Sequence, residues 1–333
     1  MKKVLMVGMS CVILAACGND AVKNNEKSTD AKDLKKVTLM LDWTTNTNHT
    51  GIFVAKANGY FKAHGLDVTI KTPGDVTSDQ LVAANKVQFG ISSQELVTQS
   101  RDEGIPVKSI GAIIQHNTSG FMSLKSKNIE SPKDFEGKTY GGFGAPIEEP
   151  VIEAVMDKED ADIKKVKMVN MGNTDFFTAS KKNIDFAWVF YGWTGIEAQT
   201  RGEQVNMQYL VDYDKNLDYY TPVFIANERY IKSDSETVKA FMQSVKEGYE
   251  YAIQQPEKSA DILIKEAPEL KDKRELVEKS QNYLKDKYQD DAASWGMQDT
   301  AVWKNYADFM KKNQVIHNDF NAEEAFTNEF VED

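Results

Sequence analysis

The sequence predicts an α/β protein of two lobes, each built on a largely parallel sheet. Three observations predict it. Short apolar strand-like runs alternate with helical stretches from Val37 to Ile114. A second series of the same kind begins after Ser131-Pro132-Lys133-Asp134, with the strand-like Thr139-Tyr140. Near Pro222-Val223-Phe224-Ile225 the pattern changes to long amphipathic helices.

Each element has a local reason. Val37, Leu39 and Leu41 alternate with other residues, as one buried face of a strand requires. A helix follows over Ile52 to Ala57 and ends at Asn58-Gly59, where glycine suits a left-handed C-terminal position. Leu66, Val68 and Ile70 form a second strand, and Pro73-Gly74-Asp75 turns into a helix carrying Leu81, Val82 and Ala84. Val87 to Ile91 reads as a third strand, Gln94 to Glu103 as a helix and Val107 to Ile114 as a fourth strand. In the C-terminal third, Val238, Phe241, Val245 and Tyr249 mark a helix from Ser235 to Gln254. This order places the second lobe as an insertion into the first. Lobe 1 is expected over 36–122 and 225–333 and lobe 2 over 123–224, with extended crossings near Gly120–Lys125 and Thr221–Ala226. Two lobes on two hinges form a cleft that closes over a small molecule.

The N-terminal segment points outside the cytoplasm. Lys2 and Lys3 precede an apolar run from Val4 to Ala16 that ends Leu14-Ala15-Ala16-Cys17-Gly18, a secretory pattern. The run falls short of the roughly 20 apolar residues of a membrane span. Cysteine directly after Leu-Ala-Ala looks like a bacterial lipobox. It implies a signal peptide over 1–16, lipid attached at Cys17 and a membrane-anchored product on the extracytoplasmic face; an ordinary secretory cut is the alternative. Residues 17–35 are rich in Asn, Lys and Asp and read as a flexible tether. Cys11 lies inside the removed peptide, so the mature chain keeps one cysteine and no internal disulfide. Without Lys2 and Lys3 the chain carries 38 basic against 51 acidic residues, a net charge of −13, which argues against nucleic acid or anionic lipid as a partner.

The most informative stretch is Leu41-Asp42-Trp43-Thr44-Thr45-Asn46-Thr47-Asn48-His49-Thr50-Gly51, between the first strand and the first helix. The carboxyl end of a strand opening onto a helix is where α/β folds hold ligands. A plain loop with an Asn or Thr cap and a core tryptophan is the simpler reading of the same residues. Catalytic patterns are missing. His49, His64, His116 and His317 form no H-E-x-x-H and lie near no cysteine, and no G-x-S-x-G is present. Gly141-Gly142-Phe143-Gly144 lacks the spacing of a phosphate-cradling loop and reads as backbone flexibility at the mouth of lobe 2, with amides available to a ligand. No metal site is called for.

Several segments carry a family resemblance over nearly all of the mature domain. They are Leu41 to Gly51, Asn58-Gly59-Tyr60-Phe61 with Gly65-Leu66-Asp67-Val68, and Gln115-His116-Asn117-Thr118-Ser119-Gly120. Further on come Gly141 to Glu148, Trp188-Val189-Phe190-Tyr191-Gly192-Trp193 and Asp218-Tyr219-Tyr220-Thr221-Pro222. The chain resembles the solute-binding branch of the thiamin-pyrimidine-synthase-like family, which includes the SsuA-like sulfonate binders. The resemblance implies a type II periplasmic-binding-protein fold, a monomer and no cofactor. It also implies an aminopyrimidine ligand passed to an ABC permease that a cytoplasmic ATPase drives.

A flat aminopyrimidine calls for aromatic faces and for a carboxylate or amide at its amino group. Trp43 and Tyr191 are expected to hold the ring, with Trp188 as the alternative on the opposite strand face. Glu197, Asn46 and Glu148 are expected to read the polar edge, with His49, Ser92, His116 and Gly144 completing the candidate set. A sulfonate such as taurine, riboflavin or another heterocycle is the competing ligand; a sulfonate would call for Arg or Lys at the cleft. The eukaryotic synthases resemble the chain around Gly59-Tyr60-Phe61 and Lys86 to Ile91. Their pyridoxal-phosphate lysine and donor histidine align with Ser92 and Leu96, and their cysteine cluster is missing, so the synthase reading is the weaker one.

Overall fold

The computed structural model describes residues 34–74, 76–172 and 174–332. The leader, Cys17 and most of the tether lie outside the described residues. Ten strands form two sheets. The first holds β1 (Lys35–Met40), β2 (Leu66–Lys71), β3 (Phe89–Ser92), β4 (Val107–Ala112) and β10 (Val223–Asn227), in the order β2-β1-β3-β10-β4. The second holds β5 (Ser119–Leu124), β6 (Thr139–Gly142), β7 (Lys167–Asn170), β8 (Phe186–Phe190) and β9 (Val205–Tyr209), in the order β7-β6-β8-β5-β9. The sheets have the same plan. Three parallel strands come first, and a strand arriving from the other lobe is inserted antiparallel beside them.

The alternation read from sequence sets the register. Val37 faces Val68, and Leu39 faces both Ile70 and Phe89. Leu39, Phe89 and Ile91 are fully buried with Phe241, Val245 and Tyr249 of the helix Ser235–Gln254. Phe89 and Phe241 stack with centroids 3.8 Å apart. This helix meets the helix Thr50–Ala57 at two glycines; a Cβ on Gly248 would sit 2.0 Å from the carbonyl oxygen of Gly51. The second core is aromatic around Phe121, Phe135, Tyr140 and Phe186, with Phe135 and Phe186 stacked at 4.0 Å.

The chain passes between the sheets at residues 113–118 and 210–222, earlier than the sequence reading placed either crossing. Ser119–Leu124 and Val223–Asn227 are strands inside the sheets, paired on both sides. The helix Thr300–Lys312, expected in lobe 1, serves both cores. Its Trp303 packs with Val223 and Phe326, whereas Tyr306, Phe309 and Met310 join Phe121 and Tyr140. Among the described residues no helix is long and apolar enough to cross a membrane.

Candidate ligand cleft

Topology locates the site. In each sheet the chain runs outward from a central strand to one neighbour and returns on its other side, so the order reverses between β1 and β3 and again between β6 and β8. Ligands of open α/β sheets bind beyond the carboxyl ends at such a switch point. The loops concerned are 41–49 and 92–95 in lobe 1, and 143–147 and 190–195 in lobe 2. Their edges converge through the helix Arg274–Leu284. There Ser280 Oγ lies 2.5 Å from Thr47 Oγ and also donates to the Gly192 carbonyl. Six large apolar side chains are exposed among the described residues. Three of them, Trp43, Phe143 and Phe190, lie in these loops, and Val76 and Leu96 follow β2 and β3. Scattered exposed apolar residues are ordinary; these stand out because they follow the carboxyl ends of strands, where such folds hold ligands.

The lobe 1 wall is a preorganised loop. Asn46 caps the short 3-10 turn Thr47–His49 by accepting from the amide of Asn48 at 2.9 Å. Its own amide donates to His49 Nδ1 at 3.2 Å, which leaves the ring proton on Nε2. That proton is donated to Asp42 Oδ1 at 2.8 Å. Behind the loop, Tyr288 and Tyr249 donate to the carbonyls of Thr47 and Asn48, both at 2.6 Å. Asn46 and His49 are therefore scaffold, buried and committed to the loop, rather than free to meet a ligand. Asp42 and Trp43 are what this scaffold presents.

Beside them, Ser92 Oγ donates to Asp79 Oδ1 at 2.5 Å. Burial pushes the Asp79 carboxyl up to about 6, with the charges of Asp42 and Glu95 adding to the effect. Glu95 is buried too. It accepts from Tyr219 at 2.5 Å through one oxygen, while the other has no hydrogen-bond partner, and burial raises its pKa.

On the lobe 2 wall, Glu148 binds its own loop. One oxygen accepts from Tyr140 at 2.7 Å and the amide of Phe143 at 3.0 Å, and the other accepts from the amides of Gly144 and Ala145, both at 2.6 Å. The loop amides expected to face a ligand thus face Glu148. Gly142 permits this closeness, since a Cβ there would lie 2.1 Å from Glu148 Oε2. The loop presents Phe143, whose ring lies 6.1 Å from that of Trp188. Trp188 is half-buried and donates to Ser119 Oγ at 2.8 Å.

Three further candidates have partners of their own. Tyr191, in the π-turn Tyr191–Gly195, lies 5.3 Å from the ring of Tyr283 and 5.7 Å from that of Tyr209, and its hydroxyl accepts from Gln199 at 2.7 Å. Glu197 Oε1 accepts from Arg201 Nη2 at 2.5 Å and Nε at 3.1 Å, so the carboxylate expected to read the ligand is neutralised inside its own helix. The guanidinium in turn sits over the ring of Phe177.

His116 belongs to the hinge. Its Nδ1 donates to Asp218 on the second crossing at 2.8 Å and its Nε2 to Asp291 at 3.2 Å. The bonds and charges of these carboxylates, Asp218 foremost, raise its pKa to about 9. His116, Asp290 and Asp291 bring ligating atoms within 4.8 Å of one another, but the imidazole is already engaged and Lys287 pairs with Asp290 at 3.2 Å. Of the candidates read from sequence, Trp43, Asn46, His49, Ser92, Gly144 and Tyr191 lie in these loops and Trp188 lies within β8; Asp42, Asp79, Phe143 and Phe190 were not among them. Phe190 had a signal, because it shares a strand face with Trp188.

Two sheets of the same strand plan, joined by two crossings, define a two-lobed chain with the periplasmic-binding-protein fold. More narrowly, the chain belongs to the NMT1/THI5-like family, whose model matches residues 46–259. It is 26% identical to the formylaminopyrimidine-binding protein of Halalkalibacterium halodurans, over 98% of each chain. It is 27% identical to the 4-amino-5-hydroxymethyl-2-methylpyrimidine phosphate synthase of Legionella pneumophila, over 71% of this chain and 75% of that one. Among solved structures, the alkanesulfonate-binding protein SsuA from Xanthomonas axonopodis pv. citri superposes with a TM-score of 0.66 at 10% identity, covering 89% of this chain and 99% of the other.

Proposed function

We propose that this chain is the solute-binding component of an ABC importer, and that its cleft captures a thiamin-precursor aminopyrimidine such as N-formyl-4-amino-5-aminomethyl-2-methylpyrimidine or the hydroxymethyl form. The observation that carries the reading is the composition of the four switch-point loops. They offer aromatic faces (Trp43, Phe143, Phe190) and carboxylates, and residues 41–50, 92–96, 143–147 and 190–196 contain no Lys or Arg. Within these loops an anion such as a sulfonate would find no charge partner, the cation recorded against them being Lys273 over the ring of Trp193; a neutral or cationic heterocycle would have stacking surfaces and acceptors. The end-to-end likeness to a formylaminopyrimidine-binding protein supports the same ligand.

The role is capture and delivery, not synthesis. By the resemblance, Ser92 falls at the position of the synthases' lysine, and its hydroxyl is spent on Asp79. A Schiff base needs an amine, which serine lacks. In this reading Cys17 carries the lipid, residues 17–35 tether the domain to the extracytoplasmic face of the membrane, and the loaded, closed form docks on a permease. Titration calorimetry of the chain without residues 1–16, carrying Cys17→Ser, tests it. The expected outcome is one-to-one binding of a pyrimidine, with a Kd of about 1 µM or tighter, and no heat from taurine. Tight binding of taurine with silence from the pyrimidines would overturn it.

A further inference from the structure

We propose that Asp79, held by Ser92 beside Asp42, is the residue that makes the cleft choose a 4-aminopyrimidine over its 4-oxo counterpart; the inference rests on the pyrimidine reading above. Three geometric facts place it. Asp79 reaches Ser92 at the carboxyl end of β3, and Asp42 leaves the carboxyl end of β1, so the pair straddles the switch point of lobe 1. Trp43 is 48% exposed next to Asp42 and supplies a face for a flat ring. Of the other carboxylates nearby, Glu148 is committed to three backbone amides and Tyr140 and Glu197 to Arg201, while Glu95 is buried and gives one oxygen to Tyr219.

The chemistry then selects the ligand. An ionised carboxylate only accepts hydrogen bonds. It takes one from the exocyclic amino group and a second from the adjacent ring nitrogen when that nitrogen is protonated. If the carboxyl holds the proton instead, it donates to the ring nitrogen and still accepts from the amino group. Either way one proton is shared across two parallel bonds, the bidentate geometry that is strongest for charged pairs. A 4-oxo ring turns a carbonyl oxygen toward the same group: the ionised carboxylate repels it, and only a carboxyl that keeps its own proton can pair with it, since that ring has no basic nitrogen there to share the proton.

The groups acting on Asp79 suit it to hold that proton. Asp42 acts from the loop after β1, its other side bonded to His49, and Glu95 acts from the helix Gln94–Asp102; both are acidic. With the free carboxyl titrating at about 6, the empty site and a neutral ligand together lack the shared proton above that pH. Binding then takes up one proton, and affinity falls toward about tenfold per pH unit on the alkaline side.

Asparagine at position 79 separates this role from a structural one. Its amide both donates and accepts and can turn over, so it matches the amino or the oxo ring, as Asn matches adenine. Calorimetry of the wild type and Asp79→Asn, with the aminopyrimidine, its 4-oxo analogue and taurine from about pH 5 to about pH 8.5, is the test. We expect the wild type to prefer the amino ring by at least about tenfold. We expect Asp79→Asn to bind both rings within about threefold of each other, with a flat pH profile. Ser92→Ala, which removes a bond that lowers the pKa of Asp79, should move the alkaline limb to higher pH in protein that remains folded by circular dichroism. Wild-type discrimination and pH profile retained in a folded Asp79→Asn overturn the role of Asp79 while leaving the pyrimidine reading intact. Wild-type protein that binds taurine more tightly than either pyrimidine overturns both.

Discussion

At the scale of single residues, what a side chain can offer a ligand depends on what it has already bonded. Glu197 shows this. Arg201 lies four residues on, so an i,i+4 ion pair was legible in the sequence, and in the structure that pair occupies the carboxylate. Glu197→Gln should therefore leave the ratio of amino to oxo pyrimidine affinity unchanged and cost under about 1 kcal/mol in denaturant unfolding. A collapse of that ratio would return Glu197 to the ligand. Trp43 is the reverse case, a large ring left exposed on a loop whose neighbours are all tied down. Replacing it with alanine should weaken pyrimidine binding more than about tenfold, or 1.4 kcal/mol, with the circular dichroism spectrum unchanged. Asp79 was not legible. Its partner Ser92 lies thirteen residues away across the helix between β2 and β3, and no sequence period links them.

At the scale of elements, helices and parallel strands with a strong period were readable, and the inserted strands were not. Val238, Phe241, Val245 and Tyr249 recur on one helix face, and all four are fully buried. β5 and β10 have the alternation of any extended segment. What makes them sheet members is pairing with partners far along the chain, Gly120 with Val189 and Tyr209 for instance, and local pattern contains nothing of that. The glycine contact between the helices Thr50–Ala57 and Ser235–Gln254 gives a sharp test. Gly248→Ala puts a methyl against the Gly51 carbonyl and should cost more than about 2 kcal/mol, read from the urea midpoint at unchanged slope. In lobe 2, Glu148→Ala strips four donors of a buried charged acceptor and should cost about 3 kcal/mol or more.

At the scale of the molecule, the hinge carries a titratable staple. His116 joins the first crossing to Asp218 on the second and to Asp291 beyond the helix Arg274–Leu284. Its pKa is raised in the folded state, from an ordinary 6.5 to about 9. Its contribution to stability is therefore complete below the unfolded value and is lost as pH climbs through about 9. The melting temperature of the wild type should fall between about pH 7 and about pH 10 relative to that of His116→Gln, measured side by side by calorimetry. Parallel curves would exclude a staple of this sign.

The helix Thr300–Lys312 has a consequence for how this protein can be divided. It lends Trp303 to one core and Tyr306, Phe309 and Met310 to the other, and the described residues form one compact unit. Cutting out 119–209 as a free-standing module would strip that helix of half its cover and leave the excised piece without one wall. A gene fragment for either half should yield insoluble product, and co-expression of the two fragments should rescue both. The lobes were joined by two crossings at their middle and sealed a third time at the end of the chain, so neither is a part that can be borrowed.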